Sequence, residues 1–156
     1  MTAEEVFTQD GKFYGKFDIA NIPCSVGYYK EFRLSWMATQ LNTFVIVGET
    51  EQKIDLRTID MFSALAFQFA LANNKGWPRG LQAGIGSVAI LKGSEIDPAA
   101  FTFVSNLTRK HWSAFEIPVI YDTARHQTLR YRSTPLWGAL YFSYFGKLID
   151  GVTARF

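Results

Sequence analysis

The segment Thr43-Phe-Val-Ile-Val47 is apolar and β-branched with no polar alternation, a pattern that predicts a strand covered on both faces. Similar runs over 85–91 and 117–121 predict two more inner strands. Between the first two, Phe62, Leu65, Ala66 and Phe69 recur at three- and four-residue steps, while Asp60, Ser63 and Gln68 keep a thin polar side. This predicts a helix over 56–74, stopped by Asn73-Asn-Lys-Gly76. Asp97 followed by Pro98 is a helix start, because the carboxylate caps free N–H groups and proline tolerates the first turn. That helix is expected to reach Arg109. In 127–132, Leu129 and Tyr131 alternate with Thr128, Arg130 and Arg132, predicting a half-wet strand paired with the third inner one. A last helix from Thr134-Pro135 to about 149 carries Trp137, Tyr141, Phe142, Tyr144 and Phe145. Ahead of Thr43, the helical spacing of Tyr29, Phe32, Trp36, Met37 and Leu41 predicts a helix over 28–41, after a short strand at 13–19.

Strands alternating with helices predict a layered α/β domain: a mixed β-sheet flanked by helices, with an N-terminal helical extension. No repeat, linker or low-complexity tract divides the 156 residues, so a single domain over 1–156 is expected. From Thr43 onward the order β-α-β-α-β-β-α is similar to that of the thioredoxin fold, and Pro118 is placed like the proline before the matching strand there. The resemblance covers about two-thirds of the chain. It would put a redox Cys-x-x-Cys near 50–56, where the residues are Thr-Glu-Gln-Lys-Ile-Asp-Leu, so it implies fold and no thiol chemistry.

Composition narrows the classes. Apolar residues make up 48% and charged residues 19%, enough burial to offset ordering entropy and to exclude a wholly disordered chain. The net charge of +2 argues against a dedicated nucleic-acid binder. No apolar run reaches the roughly 18 residues of a bilayer span, and the first residues carry early acids rather than a secretory pattern. A soluble, cytoplasmic protein without membrane contact is therefore expected.

Motifs for chemistry are scarce. Gly84-Ile-Gly-Ser-Val-Ala89 has the spacing of the dinucleotide fingerprint, but its glycines open a strand instead of joining a strand to a helix. His111 and His126 lack partner histidines or paired cysteines, Ser87 falls inside a strand, and Cys24 has no nearby His, so no metal, cofactor or catalytic triad is assigned.

Three clusters remain. Glu49, Glu51, Glu95, Asp97 and Asp122 follow inner strands and would converge at one sheet edge if those strands run parallel, where they could hold a small molecule or Mg²⁺. Arg125, His126, Arg130 and Arg132 could bind phosphate or nucleic acid. Trp137, Tyr141, Tyr144 and Phe145 are candidates for an interface, because aromatics total 16% and a chain this small has limited room to bury them all. Failure of every catalytic motif and the aromatic surplus together favour a non-enzymatic protein-interaction domain, expected as a homodimer. The alternatives are a carboxylate-based enzyme and an anion-binding protein.

Overall fold

The computed structural model describes residues 1–36, 39–75, 83–106, 109–111, 114–132 and 139–156. Its elements are α1 (Ala3–Gln9), β1 (Phe13–Ile19), β2 (Ile22–Arg33), a 3₁₀ turn (Leu34–Trp36), β3 (Thr39–Glu49), α2 (Leu56–Asn73), β4 (Ala83–Gly93), α3 (Pro98–Asn106), β5 (Arg109–His111), β6 (Ala114–Asp122), β7 (Gln127–Leu129) and α4 (Ala139–Thr153). The seven strands form one mixed sheet in the order β1-β2-β3-β4-β6-β5, with β7 also paired to β6.

The sheet has two characters. On one side β1, β2 and β3 are an antiparallel meander. On the other, β4 lies parallel to β3 and β6 parallel to β4. β3 and β6 are buried along almost their whole length, as the apolar runs Phe44–Val47 and 117–121 require, and they carry polar residues such as Asn42, Thr43 and Glu116 inside with them. One face packs Phe44, Ile46, Ala89 and Ile120 beneath Ile59, Phe62 and Ala66 of α2 and Ala100 and Val104 of α3. The opposite face packs Val45, Val88 and Val119 beneath Val6 and Phe7 of α1 and Phe145, Ile149 and Val152 of α4. The result is a three-layer α/β/α domain, the layered class expected.

α2 begins where Asp55 accepts from the Thr58 N–H at 2.7 Å, the capping of one of the orphan donors of a helix start. Asp97 does the same for α3, accepting from the Ala99 N–H at 3.1 Å.

Three expectations are corrected, the smallest being that α3 ends at Asn106 and Arg109 opens β5 instead of closing that helix. Residues 28–41 are not a helix: β2 runs to Arg33, and β3 has already begun at Thr39. Along β2, Cys24, Val26 and Tyr28 face α2 while Tyr29 faces α1, so packing on both faces, rather than a helical stripe, accounts for Tyr28 and Tyr29. The helix ahead of the core is α1, set by a reciprocal bond between Thr2 and Glu5. The third inner strand is parallel to the second and hydrogen-bonded to it, so the thioredoxin-like order, with that strand antiparallel, is not adopted.

Candidate functional site

Because β3, β4 and β6 run the same way, their carboxyl ends share one edge of the sheet. Glu49 is in register with Lys92, and Lys92 with Tyr121. The Lys92 ammonium stands 3.8 Å from the Glu49 carboxylate and 4.5 Å from the centre of the Phe156 ring. Glu49 and Glu51 border an open cleft of about 670 Å³ between the β1–β2 turn and the start of α2, which Asp55, Arg57 and Met61 also line.

The other acids do not join them. Glu95 is exposed, in the loop before α3. Asp97 is held at the α3 cap, with Lys53 at 4.0 Å. Asp122 is buried and turned inward, accepting from the Ala124 and Arg125 N–H groups at 2.9 and 3.1 Å and from the Arg125 side chain at 2.9 Å. Burial pushes its carboxyl up, but these hydrogen bonds outweigh burial and hold it below the usual aspartate range. Among the described residues no group of three or more His, Cys, Asp or Glu side chains could hold a metal ion. The shared edge exists, but Asp97 and Asp122 are taken up by local bonds there.

The basic candidates are likewise occupied. Arg125 is bound to Asp122, and His126 Nδ1 lies 3.2 Å from the Tyr121 hydroxyl. Arg130 grips both oxygens of Asp150 at 2.9 and 2.8 Å, and Arg132 donates to the Thr128 carbonyl at 3.0 Å. β7 ends at Leu129, so Arg130 and Arg132 lie beyond the ladder, beside α4.

The aromatic band of α4 turns inward. Phe145 is core, 5.2 Å from the Phe115 ring, and Tyr141 and Tyr144 stand 5.5 and 5.2 Å from the Trp36 ring. Burial pushes the Tyr144 hydroxyl up to about 12. Trp137 lies outside the described residues. Cys24 is buried, and burial pushes its thiol up to about 12, so it is no nucleophile at neutral pH.

Two features were not anticipated from sequence. Glu116, buried on β6 against α2, accepts from Ser63 at 2.9 Å and Arg109 at 3.3 Å, with His111 Nε2 at 3.2 Å. The signal was available: a lone carboxylate inside the apolar run 114–121 must find partners. The second is the outer strand β1, where Lys16, Phe17 and Asp18 are all exposed. Phe17 leans on Phe69 of α2 with ring centres 4.8 Å apart, and Met61 and Leu65 continue the exposed apolar strip along that helix.

Comparison of the chain with family models, with curated proteins and with solved structures finds no match in any of the three.

Proposed function

We propose that this chain is a non-enzymatic protein-contact domain that forms a homodimer, and that the contact is made by β1 rather than by α4. The observation that carries the reading is the charge pattern of the exposed outer strand. An antiparallel two-fold pairing centred on Phe17 sets Lys16 of each copy opposite Asp18 of the other. Opposite charges facing across an antiparallel pair are stabilising, and like charges are not. The same two-fold brings the two Phe17 rings together, each backed by its own Phe69. An outer strand also offers a row of unpaired backbone groups, which a second copy satisfies. From Gly15 to Ile19 the pairing of β1 with β2 is regular, so the part required for contact is straight.

A cytoplasmic location belongs to the same proposal. It is supported by a single, buried cysteine with no partner for an internal disulfide. No helix of the described residues is long and apolar enough to cross a membrane.

Size-exclusion chromatography with light scattering at about 100 µM is the test, a concentration at which any dimer with a micromolar Kd is well populated. The expected mass is twice the 17.7 kDa of one chain. Lys16→Asp sets Asp against Asp and should give monomer, while Lys16→Asp with Asp18→Lys should restore the dimer. A monomeric parent protein removes the proposal, and a dimer indifferent to Lys16→Asp removes this surface.

A further inference from the structure

Where the chain leaves β7 it runs beside the outer side of α4, and between them lies a groove of about 320 Å³. Arg130 crosses it. Its guanidinium is fixed by both oxygens of Asp150, at 2.9 and 2.8 Å, and by the Tyr131 carbonyl at 2.9 Å. The side chain is only 13% exposed. Gly146 allows this position, because a Cβ there would come within 3.3 Å of the guanidinium. These bonds use three of the five N–H donors of an arginine and leave two. A side chain already held in place also has little freedom left to lose when a ligand arrives.

Arg132 and Lys147 are exposed on the same groove. Arg132 donates to a neutral carbonyl, that of Thr128, so its charge is not cancelled by that bond. Three cations therefore line the groove together with one carboxylate, Asp150. The surplus of two positive charges suits the dianion of a phosphate monoester, which carries about −1.5 to −2 at neutral pH. Guanidinium groups suit phosphate oxygens geometrically as well. The remaining wall is aromatic: Tyr131 and Phe142 meet edge to face with ring centres 5.8 Å apart.

We propose that this groove binds a small phosphate monoester carrying a planar ring, of the nucleoside monophosphate class. The phosphate lies on Arg132 and Lys147 beside Arg130, and the ring lies on Tyr131 and Phe142, since bases stack on aromatic side chains. The volume falls at the small end of ligand sites, which run from about 300 Å³. A polymer is disfavoured, because the cations are gathered in one short groove instead of along a stripe. This site is independent of the β1 contact and stands or falls without it.

The test is a titration by calorimetry and amide NMR in low salt with three probes: AMP, inorganic phosphate and adenosine. AMP is expected to bind with a Kd below about 1 mM. Phosphate should bind about tenfold more weakly, and adenosine not measurably. Arg132→Ala and Lys147→Ala should each weaken AMP about tenfold with an unchanged circular dichroism spectrum. Arg57→Ala, which removes an exposed cation from the cleft at the other side of the molecule, should change nothing. Absence of any AMP response at about 5 mM overturns the site. So does binding that survives the Arg132→Ala, Lys147→Ala pair. Phosphate binding as tightly as AMP overturns the planar-ring class.

Discussion

The Ser63 hydroxyl donates to Oε2 of Glu116 across 2.9 Å, joining the first half of α2 to β6 in a layer closed to water. Arg109 extends the link, giving one N–H to Glu116 at 3.3 Å and another to Asp60 at 2.8 Å. The imidazole of His111 completes it while stacking on Phe67, ring centres 4.1 Å apart. A buried carboxylate is tolerable only with such partners, so this group of side chains ties α2 to β5 and β6 of the sheet.

Removing one partner from this layer should be costly. Glu116→Gln and Ser63→Ala are each expected to lower stability by about 1–3 kcal/mol, because each leaves a buried polar group imperfectly matched. The double variant should cost less than the sum, since both act on one bond. Urea unfolding of the four proteins measures this; additive losses would show that the two groups are not coupled.

Two glycines should respond oppositely to alanine. At Gly27 a Cβ would stand 2.5 Å from the Phe7 ring, forcing α1 away from β2. Overpacking of that kind costs about 1–3 kcal/mol. At Gly151, inside α4, a Cβ would meet nothing within 4 Å. There alanine should stabilise by up to about 1 kcal/mol, the helix-propensity difference. Thermal melts of Gly27→Ala and Gly151→Ala should therefore shift in opposite directions.

The β1–β2 turn holds a correctable strain. Ile19 pairs directly with Ile22, leaving a two-residue loop in which Ala20 and Asn21 have φ of 53° and 62°. Two positive φ values are what a hairpin turn of this length demands, and asparagine accepts them better than alanine does. Ala20→Gly should raise stability by roughly 0.5–1 kcal/mol. An unchanged or lowered melting temperature would count against a strained Ala20.

Acid should loosen the contact between α1 and the end of the chain. The Arg155 guanidinium, bound to Asp10 at 2.8 Å through each of two nitrogens, holds the Asp10 carboxyl below the usual range, with a further bond from the Tyr29 hydroxyl. The unfolded chain then binds the proton more readily than the folded one. The stabilisation is complete above the ordinary aspartate value of about 3.9 and is lost as pH falls toward the lower folded value. Arg155→Ala should flatten the dependence of the unfolding midpoint on pH in that acid window and leave its shape near neutrality unchanged.

The central strands were legible because runs such as Phe44–Val47 and 117–121 admit only burial on both faces. α2 was legible from its periodicity, and α3 from the Asp97-Pro98 start. β2 was misread because Tyr29, Phe32 and Trp36 sit at helical intervals by coincidence: Tyr29 packs toward α1, Phe32 is exposed at 48%, and Trp36 belongs to the turn after the strand. Only the presence of α1 on one face and α2 on the other decides that, and neither is local. The capping pair Thr2 and Glu5 was a visible sign of α1. The acidic loops share one edge because β3, β4 and β6 run parallel, a direction the sequence leaves open, and what each carboxylate does depends on its neighbours: Asp122 on the Arg125 backbone, Asp97 on α3. The α4 aromatics looked like surplus because the 3₁₀ turn that brings Trp36 under Tyr141 and Tyr144 could not be foreseen.

β3 divides the sheet into unlike parts. Toward β2 and β1 every neighbour arrives through a hairpin or a short turn, so that half closes small loops and can zip within microseconds to milliseconds. Toward β4 and β6 each strand arrives only after a helix has been laid across the face, so ordering there waits on long loops. As the ribosome releases this chain, its first 49 residues already hold a complete three-stranded ribbon, while the free margin of β3 must stay uncovered until residue 93 has emerged.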